Sequence, residues 1–408
     1  MRRTISAIIL MIVFSLGISS RARGQAEIQV AQPRVSYTFG ETLTIETEIT
    51  SELPIQNIKI VLQPDEQIHQ LAGDATQPSP GVVSFTLDLS NDFLGLFSTI
   101  TYWFQIMLED GQTITSPEYT FFYEDNRWDW QALQSNEFEI YWYEGDTNFG
   151  EKILNTAYDG LERIRQQVSV PAPQKLRYYV YATSQELQSA LQLSGETATQ
   201  IAGHADPALN KVMVSIAPGP AESLEIKRQV PHELLHVLLY LKLGDGYSRL
   251  PRWINEGLAS TAELFPNPDY PLLLEKAYER DALLPFTSLC ESFPNDAANF
   301  QLAYAQAASF TWYLQGKFGT SGIEALLAAY ANGLDCEHGA EAAFGDQLST
   351  LELDWRSITF HENPWLTSLR GLFPWIVIFG LFLLPMAALF TVDIVKHRKA
   401  VEENRVKE

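Results

Sequence analysis

The segment Pro231-His232-Glu233-Leu234-Leu235-His236 constrains this chain more than any other. Read as a helix, its spacing puts His232 and His236 one turn apart on one face, where two neutral imidazoles can hold one zinc ion. Glu233 lies beside the first histidine, with its carboxylate in reach of a water on that ion. A second segment, Trp253-Ile254-Asn255-Glu256-Gly257-Leu258-Ala259, follows after a loop and offers Glu256 as a third, anionic ligand. Two imidazoles, one carboxylate and a fourth position open to water make the ligand set of a hydrolytic zinc site. The rest of the first helix is apolar nearly all round (Leu234, Leu235, Val237, Leu238, Leu239, Leu241). Polar side chains buried in such a helix need partners. A metal ion is an economical one; an ordinary buried helix with two satisfied histidines is the plainer alternative.

Together the two segments resemble the gluzincin metallopeptidases. The nearer likeness is to bacterial peptidase MA-like domains, with the aminopeptidase N group more distant. It covers about the middle half of the chain. The gap between His236 and Glu256 is one residue longer than in aminopeptidase N relatives, which a loop can absorb. The resemblance implies an α+β, thermolysin-like zincin domain. It implies one Zn2+ held by His232, His236 and Glu256, with Glu233 as general base and a peptide or protein as substrate. In aminopeptidase N relatives a tyrosine on a later helix stabilises the oxyanion. Tyr304-Ala305-Gln306-Ala307 resembles that segment, so Tyr304 is the implied donor, the alternative being a core tyrosine. His204 is a weaker candidate. Aminopeptidases of the group hold the substrate amine with a Gly-x-Met-Glu-Asn segment upstream of the zinc helix. No such segment is present here, which favours an endopeptidase. In zincin folds an edge strand pairs with extended substrate, and Lys211 to Ile216 is the expected edge. A zincin fold that retains metal but serves only as a cell-surface binding module is the alternative; the intact set including Glu233 favours the enzyme.

A chain of 408 residues has room for two domains, and a net charge of -22 argues against nucleic acid, whose phosphates would repel it. Residues 1–24 read as a signal peptide: Arg2 and Arg3, an apolar run from Ile5 to Ile18, then Ala22-Arg23-Gly24. An uncleaved anchor is the alternative. Near the other end Leu372 to Val392 is apolar, interrupted by Gly380 and Pro385, and Lys396-His397-Arg398-Lys399 follows. This predicts a transmembrane helix over 372–395 and a cytoplasmic tail over 396–408. The expected location is the cell membrane, single-pass, with the N-terminal domains extracytoplasmic. Cys290 and Cys336 lack metal or redox spacing and are either bridged or two buried thiols. Oligomeric state has no signature.

Between these ends two patterns alternate. Over 25–124 short strands alternate strictly, as in Leu43, Ile45, Thr47 and Ile49, and Glu109-Asp110-Gly111-Gln112 reads as a hairpin turn. This predicts an all-β, immunoglobulin-like sandwich. Over 125–362 strands and helices intermix, with a capping box at Thr183-Ser184-Gln185-Glu186 and helix stops at Gly319 and Gly333. Pro231 either starts the zinc helix or kinks a longer one that begins near Ser223.

Overall fold

The structure is a computed structural model, and it describes residues 27–65, 70–90, 94–191, 203–361, 373–375 and 377–381. The segment read as a signal peptide and the expected cytoplasmic tail lie outside the described residues. The chain divides after Arg127 into two compact units.

The first unit is β-rich. Its strands are β1 (Ile28–Val30), β2 (Arg34–Thr38), β3 (Thr42–Ser51), β4 (Ile55–Pro64), β5 (Leu71–Asp74), β6 (Thr76–Ser79), β7 (Val82–Asp88), β8 (Ser98–Leu108), β9 (Thr113–Thr115) and β10 (Tyr119–Tyr123). They form two five-stranded sheets, one ordered β1-β3-β7-β6 with β2 against β3, the other β10-β8-β4-β5 with β9 against β8. Alternation decides which faces are inside: Leu43, Ile45, Thr47 and Ile49 of β3 are buried while Glu46 and Glu48 stay near solvent. Sheet meets sheet where Gly73 of β5 lies against the Phe85 ring of β7. This is a β-rich unit of two antiparallel sheets. The immunoglobulin-like label expected from the sequence is not supported beyond that.

The second unit is mainly helical around one sheet. It contains β11 (Gln131–Gln134), β12 (Phe138–Trp142), α1 (Thr147–Gln167), β13 (Leu176–Tyr181), α2 (Ser184–Ala190), β14 (Gly203–Asp206), β15 (Lys211–Ser215), α3 (Glu222–Leu243), α4 (Arg252–Ala262), α5 (Tyr270–Glu279), α6 (Ala297–Ala331), α7 (Cys336–Phe344) and α8 (Leu348–Thr359). Strand order is β11-β12-β13-β15-β14. β13 runs parallel to both β12 and β15, and β11 and β14 close the two edges antiparallel. Helices α1 and α3 bury one face of this sheet. Ile153, Ala157, Leu161 and Ile164 of α1 share a core with Tyr178, Val180, Val212 and Val214 of the strands and with Val230, Leu234 and Val237 of α3.

On the far side of α3, α4 packs on α6 at very short range. A Cβ on Gly257 would lie 2.6 Å from the Ala307 carbonyl oxygen, so only glycine fits. That approach brings α6 up to the middle of α4, where Glu256 precedes Gly257. α6 is two helices joined at Gly319, whose φ of 65° and ψ of -172° break the helix at the expected stop. Cys290 and Cys336 form a disulfide that ties the turn after Leu289 to the start of α7. Closing a loop of that length contributes roughly 3–4 kcal/mol.

The expected C-terminal membrane anchor is corrected. Among the described residues no helix is long and apolar enough to cross a membrane. Of the segment 372–395 only residues 373–375 and 377–381 are described, all helical. The rest of that segment lies outside the described residues. The expected single-pass membrane location requires such a helix and is corrected with it.

Candidate metal centre

α3 begins at Glu222 and runs through Pro231 as one helix. Proline has no N–H, so the carbonyl of Lys227, four residues earlier, loses its helical partner. It is not left unpaired: it accepts the backbone N–H of Leu264, just past α4, at 2.9 Å. The second half of α3 then presents His232 and His236 to α4.

The structure brings His232, His236 and Glu256 together: one ligand atom from each lies within 4.8 Å of the others. His232 Nε2 is 3.4 Å and His236 Nε2 is 3.7 Å from Glu256 Oε2. Both imidazoles use their other nitrogen elsewhere. His232 Nδ1 is 3.0 Å from Glu263 Oε1, and His236 Nδ1 is 3.2 Å from Asn255 Oδ1, with the Tyr247 hydroxyl 3.4 Å away. A ring that donates Nδ1–H to such an acceptor keeps a lone pair on Nε2. Glu256 is likewise divided, since Arg252 holds Oε1 at 2.9 Å while Oε2 faces the histidines. Two lone-pair nitrogens and one carboxylate oxygen aimed at one point fit a metal ion. Among the described residues no other group of histidine, cysteine and acidic side chains meets that condition.

The electrostatics agree with the geometry. Three buried carboxylates, Glu233, Glu256 and Glu263, surround the two imidazoles. Such a cluster demands positive charge, which a proton or a divalent cation can supply. Burial acts to lower the His232 pKa, but Glu256 and Glu263 outweigh it and raise it to about 10, so a metal ion would take its place at Nε2 by displacing a proton. For His236 burial dominates and pulls it down to about 4, which keeps that imidazole neutral. Burial acts to raise Glu256, yet the histidines and Arg252 hold it at about 2. Glu233 is raised by burial to about 7, with Glu256 adding to the effect and His232 and Arg252 opposing it.

Glu233 points to β14. The Ala205 N–H donates to its carboxylate, and Gly203 lies so close that a side chain there would collide with Oε1. Since Gly203 and Ala205 face Glu233, strand alternation turns His204 away from the centre. The edge beside the site is therefore β14. The segment Lys211 to Ile216, expected at the edge, is an inner strand paired on both sides. Tyr304, on α6, is at the site. Its ring centroid lies 6.3 Å from that of His232. It hydrogen-bonds to Arg252, and burial raises its pKa well above the usual value, so the phenol stays protonated.

Sequence reasoning missed Arg252 and Glu263. They stand four residues before and seven after Glu256, a spacing that places all three on one helical face. Asking what shares that face with Glu256 would have found both.

Fold and centre together define a metallopeptidase-like domain. Residues 156–361, half of the chain, match a family model described as Peptidase MA superfamily, and the chain belongs to that superfamily. No curated protein matches the chain. Solved structures with local likeness include one titled "Myokine structure", at 12% identity over 23% of this chain and 95% of that one, with a TM-score of 0.20. A bromine derivative of BhCBM56 aligns at 16% identity over 22% of this chain and 88% of its own, with a TM-score of 0.17. Wild-type OgpA from Akkermansia muciniphila aligns at 15% identity over 25% of this chain and 30% of its own, with a TM-score of 0.21. TM-scores this low carry no statement about fold or function.

Proposed function

We propose that the protein is a zinc-dependent metallopeptidase that hydrolyses peptide bonds in peptide or protein substrates. His232 and His236 hold the ion through Nε2, and Glu256 through Oε2. When bound, zinc supplies acidity to water and polarises a substrate carbonyl. Glu233 takes the proton of the attacking water and passes it to the leaving amine. Tyr304, kept protonated by burial, donates to the oxygen that gains charge at the carbonyl carbon. β14, the edge strand of the sheet among the described residues, offers backbone groups to an extended substrate. Cleavage within chains is favoured over aminopeptidase action, because β14 reads Gly203-His204-Ala205-Asp206 and carries no acidic Gly-x-Met-Glu-Asn hold for a free amine.

The observation that carries this reading is the convergence of His232, His236 and Glu256 with Glu233 buried beside them. The test is Glu233→Gln against wild type, read by zinc content and by digestion of a broad peptide library. The variant should bind zinc as wild type does and lose roughly 10²–10⁴-fold in cleavage rate. Equal cleavage by both would remove Glu233 as the base. A zinc-loaded wild type that cleaves nothing would make the domain a binding module.

A further inference from the structure

Pro231 stands inside α3, directly before the first ligand, where proline is ordinarily disfavoured. Its consequence runs through backbone. The Lys227 carbonyl, deprived of its helical partner and crowded by the ring, accepts Leu264 N–H at 2.9 Å. Leu264 directly follows Glu263, whose Oε1 is 3.0 Å from His232 Nδ1. Glu263 is 4% exposed, and among the described residues its Oε2 has no hydrogen-bond partner. A half-satisfied buried carboxylate is costly, so something must hold it in place. α4 does not, because Glu263 has already left the helical conformation, with φ of -55° and ψ of 132°. The backbone hydrogen bond one residue on is the hold the structure shows.

We propose that Pro231 is a positioning residue for the metal centre. By freeing the Lys227 carbonyl it lets α3 grip Leu264, and that grip presses Glu263 against His232 Nδ1. Glu263 then fixes the ring with its Nε2 lone pair toward Glu256 and His236. One short stretch of α3 thus supplies both a ligand and the anchor for that ligand's outer partner. The inference rests on the metallopeptidase reading for its purpose.

The experiment is a double-mutant cycle on the full chain, read as the zinc dissociation constant by chelator competition without substrate. Glu263→Ala should weaken zinc roughly 10- to 100-fold, and Pro231→Ala by a smaller factor. The double variant should bind no more weakly than Glu263→Ala alone, since the proline acts through that carboxylate. Glu263→Gln keeps an acceptor for Nδ1–H, so it should recover part of the loss and remain sensitive to Pro231→Ala. If Pro231→Ala fails to fold, Leu264→Pro deletes the same hydrogen bond from the donor side. Glu263 there already has the extended backbone that suits a residue preceding proline. Zinc binding unaltered by Pro231→Ala, or losses that simply add, would overturn the inference and leave the metallopeptidase reading standing. A wild type that binds no zinc would overturn both.

Discussion

At the scale of single residues, the centre is defined by how each polar group divides its two ends. Both imidazoles commit Nδ1 to a neighbour and leave Nε2 to the common point, and Glu256 commits Oε1 to Arg252 and leaves Oε2. Arg252 also reaches Tyr304, so one guanidinium orients a ligand and the proposed oxyanion donor together. Tyr304→Phe removes only the hydroxyl. If that hydroxyl meets charge that develops in the transition state, kcat should fall roughly 10²- to 10³-fold with zinc binding and KM little changed. Steady-state kinetics beside a zinc titration decide it, and an unaltered kcat returns Tyr304 to the core. The motif residues were legible in sequence because zinc chemistry fixes both their types and their spacing. Arg252 and Glu263 were not, because an arginine or glutamate on a helix is ordinary until the face it shares with Glu256 is drawn.

At the scale of elements, the informative case is β14 and β15. Lys211 to Ser215 was readable as a strand but not as an edge. Its residues are buried on both faces nearly throughout, the pattern of an inner strand in a sheet with parallel pairing rather than of a border. The true border, Gly203–Asp206, is four residues with glycine and alanine among them, too short and too small for alternation to register. Its small residues follow from position, since Gly203 leaves room for the Glu233 carboxylate. Gly203→Ala should therefore displace Glu233 without touching a ligand. The expected result is at least a roughly tenfold loss in kcat/KM with zinc content unaltered, since small misplacements of a reacting group cost on that order or more. Full activity in that variant would mean that the strand can withdraw and that the close approach is incidental. α6 shows the opposite case. Its break at Gly319 was legible because a helix stop is a local backbone event, independent of tertiary surroundings.

At the scale of the whole molecule, apolar length alone misled. Leu372 to Val392 has the composition of a membrane span, yet among the described residues no helix has the length and apolarity required. The division into two units rests on firmer physics, because each carries its own core. The large cluster that includes Phe138, Trp253, Phe310 and Trp355 lies wholly within the second unit, and so do the Cys290–Cys336 bridge and the three candidate ligands. Calorimetry of the full chain should accordingly show two transitions, of which only one answers to either perturbation. Zinc at about a hundred times its dissociation constant should stabilise that transition by ~2.7 kcal/mol. For a unit of this size that raises its midpoint by roughly 5–10 °C. Reducing the disulfide should lower the same midpoint by a comparable amount. The other transition should stay within a degree or so of its place under both treatments, because the first unit contains neither the ligands nor the bridge. If zinc and reductant each moved a different transition, the metal and the disulfide would belong to separate cooperative units, and the second unit could not be one folded domain built around its centre.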